Sequence, residues 1–302
     1  MKSKFPICYE THGESDNPCI ILVTGIGGQL IQWSREFIDG LVKKNLFVVS
    51  FDNRDSGLSH YYDDLSVPDL DQAFQAKQSG KGFKPPYTFN DMANDIVLMM
   101  DRLSIQKAHI LGSSMGGMIA QTFALNHPER MLSLILIATS SGDAHLQPPQ
   151  PQVQQFMAAS FSRNKEKLSG DVEDKIKLFK IYDPFFFNEQ KTRDLSEKLY
   201  KRMGSPDGFK RQLLAYLYEE PRGERLRKVS VRSLIVHGMH DPAFPVEHGK
   251  YLHEVLPGSR LEIIKKMGHL VSDELCQKIV DIIYDFIKNN SCNDENNIQA
   301  KL

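Results

Sequence analysis

Apolar residues follow two rhythms along this chain. Cys19–Val23, Leu46–Phe51, Ala108–Leu111 and Leu132–Ala138 are short continuous apolar runs. Runs of that length suit strands covered on both faces, as in a parallel sheet. Between them the spacing becomes helical. Trp33, Phe37, Ile38 and Leu41 share one face, and so do Met92, Ala93, Ile96, Val97, Met99, Met100 and Leu103 behind Asn90 as N-cap. A third helix is expected from Met118 through Leu125, ending near His127-Pro128. Phe5–Glu10 reads as a short first strand closed by the turn at 13–18, and the stretch 61–86 reads as irregular.

The alternation stops near Ser140. Gln147-Pro148-Pro149-Gln150-Pro151-Gln152 is a linker signal, and 153–228 carries helical periodicity and high charge without a convincing strand. Strand-like runs resume at Val231–Gly238 and Leu261–Ile264, with helices expected at Val246–Val255 and Ser272–Lys288. The pattern predicts an α/β fold: a mostly parallel central sheet flanked by helices, interrupted by a helical insertion. The expected divisions are a core of 1–141 and 229–289, a helical cap over 142–228, and a disordered tail over 290–302.

Bulk properties narrow the picture only by exclusion. The chain has 302 residues, enough for a large core. Its net charge of −1 carries no basic excess, which argues against nucleic acid or an anionic membrane as partner. The first residues lack the apolar centre of a signal peptide, and no run approaches the roughly 18 apolar residues of a membrane span. The four cysteines are scattered with no C-x-x-C, which fits reduced thiols and a cytoplasmic setting.

The chemistry concentrates at Gly112-Ser113-Ser114-Met115-Gly116, a G-x-S-x-G between a strand and a helix. In that context the motif is a nucleophile elbow, which lifts the Ser114 hydroxyl above the sheet edge. Glycines on either side permit close backbone approach, and the helix start makes the Met115 N–H an oxyanion donor. A serine nucleophile needs a base, and the base an orienting acid. Asp241 and His269 each follow a predicted strand, so both are expected at the edge that carries Ser114. The order Ser, Asp, His is that of α/β-hydrolases. Asp143 also follows a strand and is the alternative acid; loop position and chain order favour Asp241. The loop Thr24-Gly25-Ile26-Gly27-Gly28 supplies the second oxyanion donor, the Ile26 N–H. That loop lacks the spacing of a phosphate-binding motif. His237-x-x-His240 lacks supporting ligands for a metal, so neither metal nor cofactor is expected.

With these motifs the chain resembles serine hydrolases of the α/β-hydrolase superfamily, and within it the aclacinomycin methylesterase-like group. The resemblance rests on LVTGIGGQLIQW (22–33), FDNRDSGLS (51–59), HILGSSMGGMIAQ (109–121), HDPAFPVEHGKYL (240–252) and KMGHL (266–270). Two positions depart from the superfamily pattern: Thr24 stands where a histidine is common, and Asp55 where a glycine often follows the arginine. The resemblance implies that the insertion is a lid. Its apolar residues Tyr182, Phe185, Phe186 and Phe187, with Phe156, Phe161 and Tyr216, either line an acyl pocket or pack the lid on the core. The expected activity is cofactor-free hydrolysis of a small or medium carboxylic ester, with a methyl ester among the candidates. Carbon–carbon bond hydrolysis, lactone opening and perhydrolysis use the same triad, and a receptor-like binding module would keep the fold with little turnover. The expected partner is a small-molecule ester, and oligomeric state is not legible.

Overall fold

The computed structural model describes residues 5–65, 69–161 and 172–299, with the side chains of 157–161 and 290–299 left aside. Over 290–299 the expected disordered tail instead continues the last helix, Asp273–Gln299, while 300–302 and the Phe161 ring fall outside what is described. The core is a seven-stranded sheet, ordered β1-β3-β2-β4-β5-β6-β7. Its strands are β1 (Tyr9–His12), β2 (Cys19–Val23), β3 (Phe47–Phe51), β4 (Ala108–Ser113), β5 (Met131–Ile137), β6 (Ser233–Gly238) and β7 (Arg260–Ile264). Only the β1–β3 pair is antiparallel.

The continuous apolar runs have a simple cause: alternate residues of each strand feed two cores. Ile21, Val23, Val49, Ile110 and Leu134 pack with α3 (Phe89–Arg102), α4 (Met115–Asn126) and α10 (Glu247–Val255). Ile20, Leu22, Val48, Leu111 and Ile135 face α1 (Arg35–Lys43) and α11 (Asp273–Gln299) on the other side. Each fully buried aliphatic side chain contributes about 1.5–3 kcal/mol, so loss of period-2 polarity is what a doubly covered strand demands.

Three local expectations differ from the structure. The first strand lies at Tyr9–His12, not Phe5–Glu10, because its register is set by pairing Tyr9 with Phe51 and His12 with Val48. The stretch expected to be irregular holds α2 (Leu70–Gln78), capped by Asp69, which accepts from the Asp71 and Gln72 N–H groups. Helix α3 is capped by Thr88 rather than Asn90; Thr88 and Asp91 form a reciprocal capping box.

Between β5 and β6 the described chain is helical: α5 (Pro151–Phe161), α6 (Val172–Tyr182), α7 (Glu189–Arg202), α8 (Pro206–Leu217) and α9 (Gly223–Leu226). These helices form a lid. Charged side chains seat it on the loop after β3. Arg202 reaches Asp52 at 2.7 Å, and Arg211 holds Asp55 through two hydrogen bonds of 2.8 Å. Arg54 beneath them pairs with Asp95 of α3. Asp55 adopts φ 62°, a conformation easiest for glycine, and its carboxylate also accepts from the Tyr62 N–H.

Candidate active site

The strand order reverses direction between β2 and β4, and the loops after these two strands flank one crevice at the carboxyl edge. Ser114 stands there, between β4 and α4, with φ 55° and ψ −125°. That strained backbone is held from several sides. The Ser114 N–H donates to Ile137 O, and Thr139 Oγ1 donates to Ser114 O. The flanking glycines are obligatory. A Cβ on Gly112 would lie 2.2 Å from Gly116 O, and one on Gly116 would lie 2.2 Å from Val23 O.

His269 comes from the loop between β7 and α11. Its Nε2 lies 3.0 Å from Ser114 Oγ, and its Nδ1 lies 2.9 Å and 3.1 Å from the two carboxylate oxygens of Asp241. An imidazole donating from Nδ1 to a carboxylate presents Nε2 as an acceptor toward the hydroxyl. Asp241 is itself immobilised, since its Oδ1 accepts the N–H groups of Ala243 and Phe244. His237 tightens the same loop with Nε2 2.8 Å from Phe244 O. Burial pushes the His237 pKa down, which keeps that ring neutral although it lies near Asp241.

The lid reaches the same histidine. The His269 N–H donates to Tyr182 O at 2.7 Å, and the Tyr182 ring meets the imidazole edge-on at 4.7 Å. Next along the chain, buried Asp183 accepts from Ser272 Oγ at 2.6 Å. On the opposite side of the crevice, the Gly28 N–H closes a turn onto Gly25 O at 3.0 Å. That turn touches the serine: a Cβ on Gly25 would lie 3.1 Å from Ser114 Cβ. Among the described residues the N–H groups of Ile26 and Met115 have no protein acceptor. Thr24 has a structural use, because Asn53 Nδ2 donates to its carbonyl at 3.2 Å and its hydroxyl at 3.3 Å.

The structure thus brings Ser114, His269 and Asp241 together, with Met115 at a helix start beside them and Ile26 in the facing turn. It does not bring Asp143 there. That carboxylate accepts the Gly223 N–H at 3.1 Å, at the point where the lid returns to the core. His237 and His240 diverge: the first is buried against Phe244 O, the second is exposed and packs on Phe185. Among the described residues no group of three or more His, Cys, Asp or Glu side chains could hold a metal ion. Of the lid aromatics, Phe186 and Tyr216 pack against the hydrophobic core. Phe185 lines a cavity of about 590 Å³ on the outer side of the Asp241 loop, with Lys177, Lys180 and Pro242; Ser114 and His269 are not part of its wall.

Several side chains around the site carry no sequence signature. Gln212 of α8 accepts the Gly27 N–H at 2.7 Å. Gln29 donates to Leu199 O and accepts from Arg202, so α7 also grips this loop. A lone glutamine in a charged helix gives no hint of such a contact.

The α/β hydrolase fold family matches residues 18–274. Over 291 residues the chain is 26% identical to a rhodomycin D methylesterase of Streptomyces sp. (strain C5), covering 89% of this chain and 90% of that protein. It is 24% identical over 263 residues to 3-oxoadipate enol-lactonase 2 of Acinetobacter baylyi, covering 85% and 84% respectively. Among solved structures, an esterase from Exiguobacterium antarcticum superposes with a TM-score of 0.73 at 21% identity, over 93% of this chain and 95% of that one. With this match, and with a lidded, mostly parallel sheet carrying a serine on the turn between its central strand and helix, the chain belongs to the α/β hydrolase fold family and is related to the rhodomycin methylesterase-like esterases.

Proposed function

We propose that this protein is a serine hydrolase that cleaves a small or medium carboxylic ester, a methyl ester among them, through an acyl-enzyme. The observation that carries this reading is His269, placed 3.0 Å from Ser114 Oγ by one ring nitrogen and 2.9 Å from Asp241 by the other. Ser114 Oγ attacks the acyl carbon while His269 Nε2 takes its proton. The protonated imidazole then gives that proton to the leaving alkoxide, and a water activated by the same nitrogen hydrolyses the acyl-enzyme. Asp241 holds the tautomer and balances the imidazolium. The N–H groups of Met115 and Ile26 receive the oxyanion; loss of one such donor costs about 10²–10³ in kcat in a comparable site.

The residues between the core segments, 142–228, act as the cap that selects the acyl and alcohol groups. Lactone opening is the second reading. It is favoured by the relation to an enol-lactonase over most of both chains, and it needs the same attack on an acyl carbon. Among the described residues Cys8, Cys19 and Cys276 form no disulfide, which supports a reducing, cytoplasmic setting.

The test is fluorophosphonate labelling of the wild type and Ser114→Ala, followed by turnover of p-nitrophenyl esters of rising chain length, methyl esters and an enol-lactone. Ser114 is the expected site of labelling, and Ser114→Ala should lower kcat by a factor on the order of 10⁴–10⁶ with the fold retained. Labelling at Ser113 moves the nucleophile. Labelling of Ser114 without turnover of any ester or lactone replaces the enzyme with a ligand-binding module.

A further inference from the structure

Gln212 is fully buried in α8, yet its amide points out of the lid and into the loop after β2. Its Oε1 accepts the Gly27 N–H at 2.7 Å and its Nε2 donates to Arg54 O at 2.7 Å. Both ends of the amide are occupied, so its orientation is fixed by the partners and not by convention. Gly27 is the third residue of the turn closed by Gly28 N–H and Gly25 O, and it has φ +61°. A positive φ at that position is the type II pattern, in which the peptide joining the second and third residues is turned over relative to type I. The Gln212 acceptor holds the Gly27 N–H in that orientation. The closed turn keeps Gly25 O directed inward at Gly28. In a trans peptide the N–H opposes the carbonyl, so the Ile26 N–H is directed out of the turn. A side chain seated in the lid therefore holds the central peptide of the turn whose first peptide presents the free Ile26 N–H beside Ser114.

We propose that Gln212 is the positioning residue of the oxyanion hole, and that it makes a competent hole conditional on a seated lid helix. This rests on the reading of Ser114 as nucleophile and of Ile26 N–H as oxyanion donor. Gln212 touches no reacting atom; it acts through Gly27. Other contacts hold the flanks of the loop, Ser56 Oγ on Gly28 O and Arg202 on Gln29, but Gln212 is the side chain bonded to Gly27 N–H among the described residues. If the turn relaxes, the ground-state ester still binds in the lidded crevice. What is lost is stabilisation of charge that develops only in the transition state, so the effect belongs in kcat and not in KM.

The experiment compares wild type, Gln212→Leu, Gln212→Asn and Gln212→Glu on one p-nitrophenyl ester, with a matched alkyl boronic acid as a tetrahedral, oxyanion-bearing inhibitor. The leucine removes both hydrogen bonds at similar volume. The asparagine keeps the amide but falls a methylene short of Gly27. The glutamate keeps an acceptor for the Gly27 N–H. The expected result is a kcat lowered about 10- to 100-fold in the leucine and asparagine variants with KM within about threefold. Boronate affinity should fall in step with kcat/KM, and the glutamate should recover much of the loss. Should Gln212→Leu not fold, the asparagine variant carries the same test. A folded leucine or asparagine variant with kcat within twofold of wild type, or a loss confined to KM, overturns the proposal. Wild-type protein that neither labels at Ser114 nor turns over ester fails the functional reading itself, and the proposal with it; active wild type with insensitive variants fails the proposal alone.

Discussion

Asp241 accepts two backbone N–H groups and faces His269 through both carboxylate oxygens, so it has no freedom to swing away from the imidazole. Asp241→Asn should therefore keep the geometry and lose the tautomer, lowering kcat by a factor on the order of 10³–10⁴ with little change in KM. Asp143→Asn, at the Gly223 N–H, should cost under about tenfold. Measuring kcat for both on one ester, with circular dichroism for folding, decides it; the reverse ranking moves the acid to Asp143. A second residue-scale expectation concerns acid stability. Burial pushes His109 down from 6.5 to about 4, with its Nδ1 2.7 Å from Ser133 Oγ. Below 6.5 the unfolded chain takes up this proton and the folded one resists, so stability falls as pH drops from about 6.5 to 4. At about 1.4 kcal/mol per pKa unit, that drop sets an upper scale of about 3 kcal/mol. His109→Gln should flatten the urea-midpoint profile in this window, and an unchanged slope would show that His109 contributes nothing to it. The proposed nucleophile, Ser114, was legible in the sequence because its signal is local: glycines on either side of a serine, behind an apolar strand. His269 and Asp241 followed from chain order and loop position. Gln212 was not legible, because its partner lies 185 residues away and nothing in a helical glutamine announces it.

At the scale of elements, the lid is held to the sheet by charge buried at the loop after β3. Asp55 accepts a strained φ of 62°, and its side chain meets Arg211, itself 1% exposed. Removing Arg211 leaves the Asp55 carboxylate buried and unneutralised, a loss of about 3–5 kcal/mol in comparable pairs. Arg211→Met should show a loss on that scale in urea unfolding. Asp55→Gly with Arg211→Met should lose less, since it removes both charges and relieves the backbone. A double variant less stable than Arg211→Met would mean that the pair does not act as a unit. Asp55 was visible in the sequence as a departure from a familiar loop pattern, but its reason was not, because the arginine that explains it belongs to α8. The elements themselves were legible where two apolar faces or one long amphipathic face wrote the pattern. They were less so at edges: β1 is placed by its partner β3, and α2, with Leu70 and Ala73 as its buried residues, has too short an apolar stripe to stand out in a polar stretch.

On the scale of the whole molecule, the core supplies the Ser114–His269–Asp241 arrangement and the lid supplies side chains that stand over it. Ser114, Asp241 and His269 all come from loops at one edge of the sheet, while Tyr182 and Phe209 enter from the lid, the first against His269 and the second against Gly27. In a hydrophobic pocket one methylene changes discrimination by roughly 10- to 200-fold, so a few altered lid side chains suffice to reorder ester preference. Exchanging residues 147–228 for the lid of a related hydrolase should change the ratio of kcat/KM between ester chain lengths by that order while fluorophosphonate still labels Ser114. The graft has to keep the contacts that join lid to core. Arg202 must still reach Asp52, Arg211 must still reach Asp55, and Gln212 must still hold Gly27. The main-chain joints at Tyr182 O with His269 N–H and at Ser141 O with Arg222 N–H must also survive. With those retained, the loop after β2 stays held, so the labelling rate should be kept and a shift in the ester series traces to the lid's own surface. A folded chimera that labels at Ser114 and keeps the original ester preference would place specificity in the core loops instead.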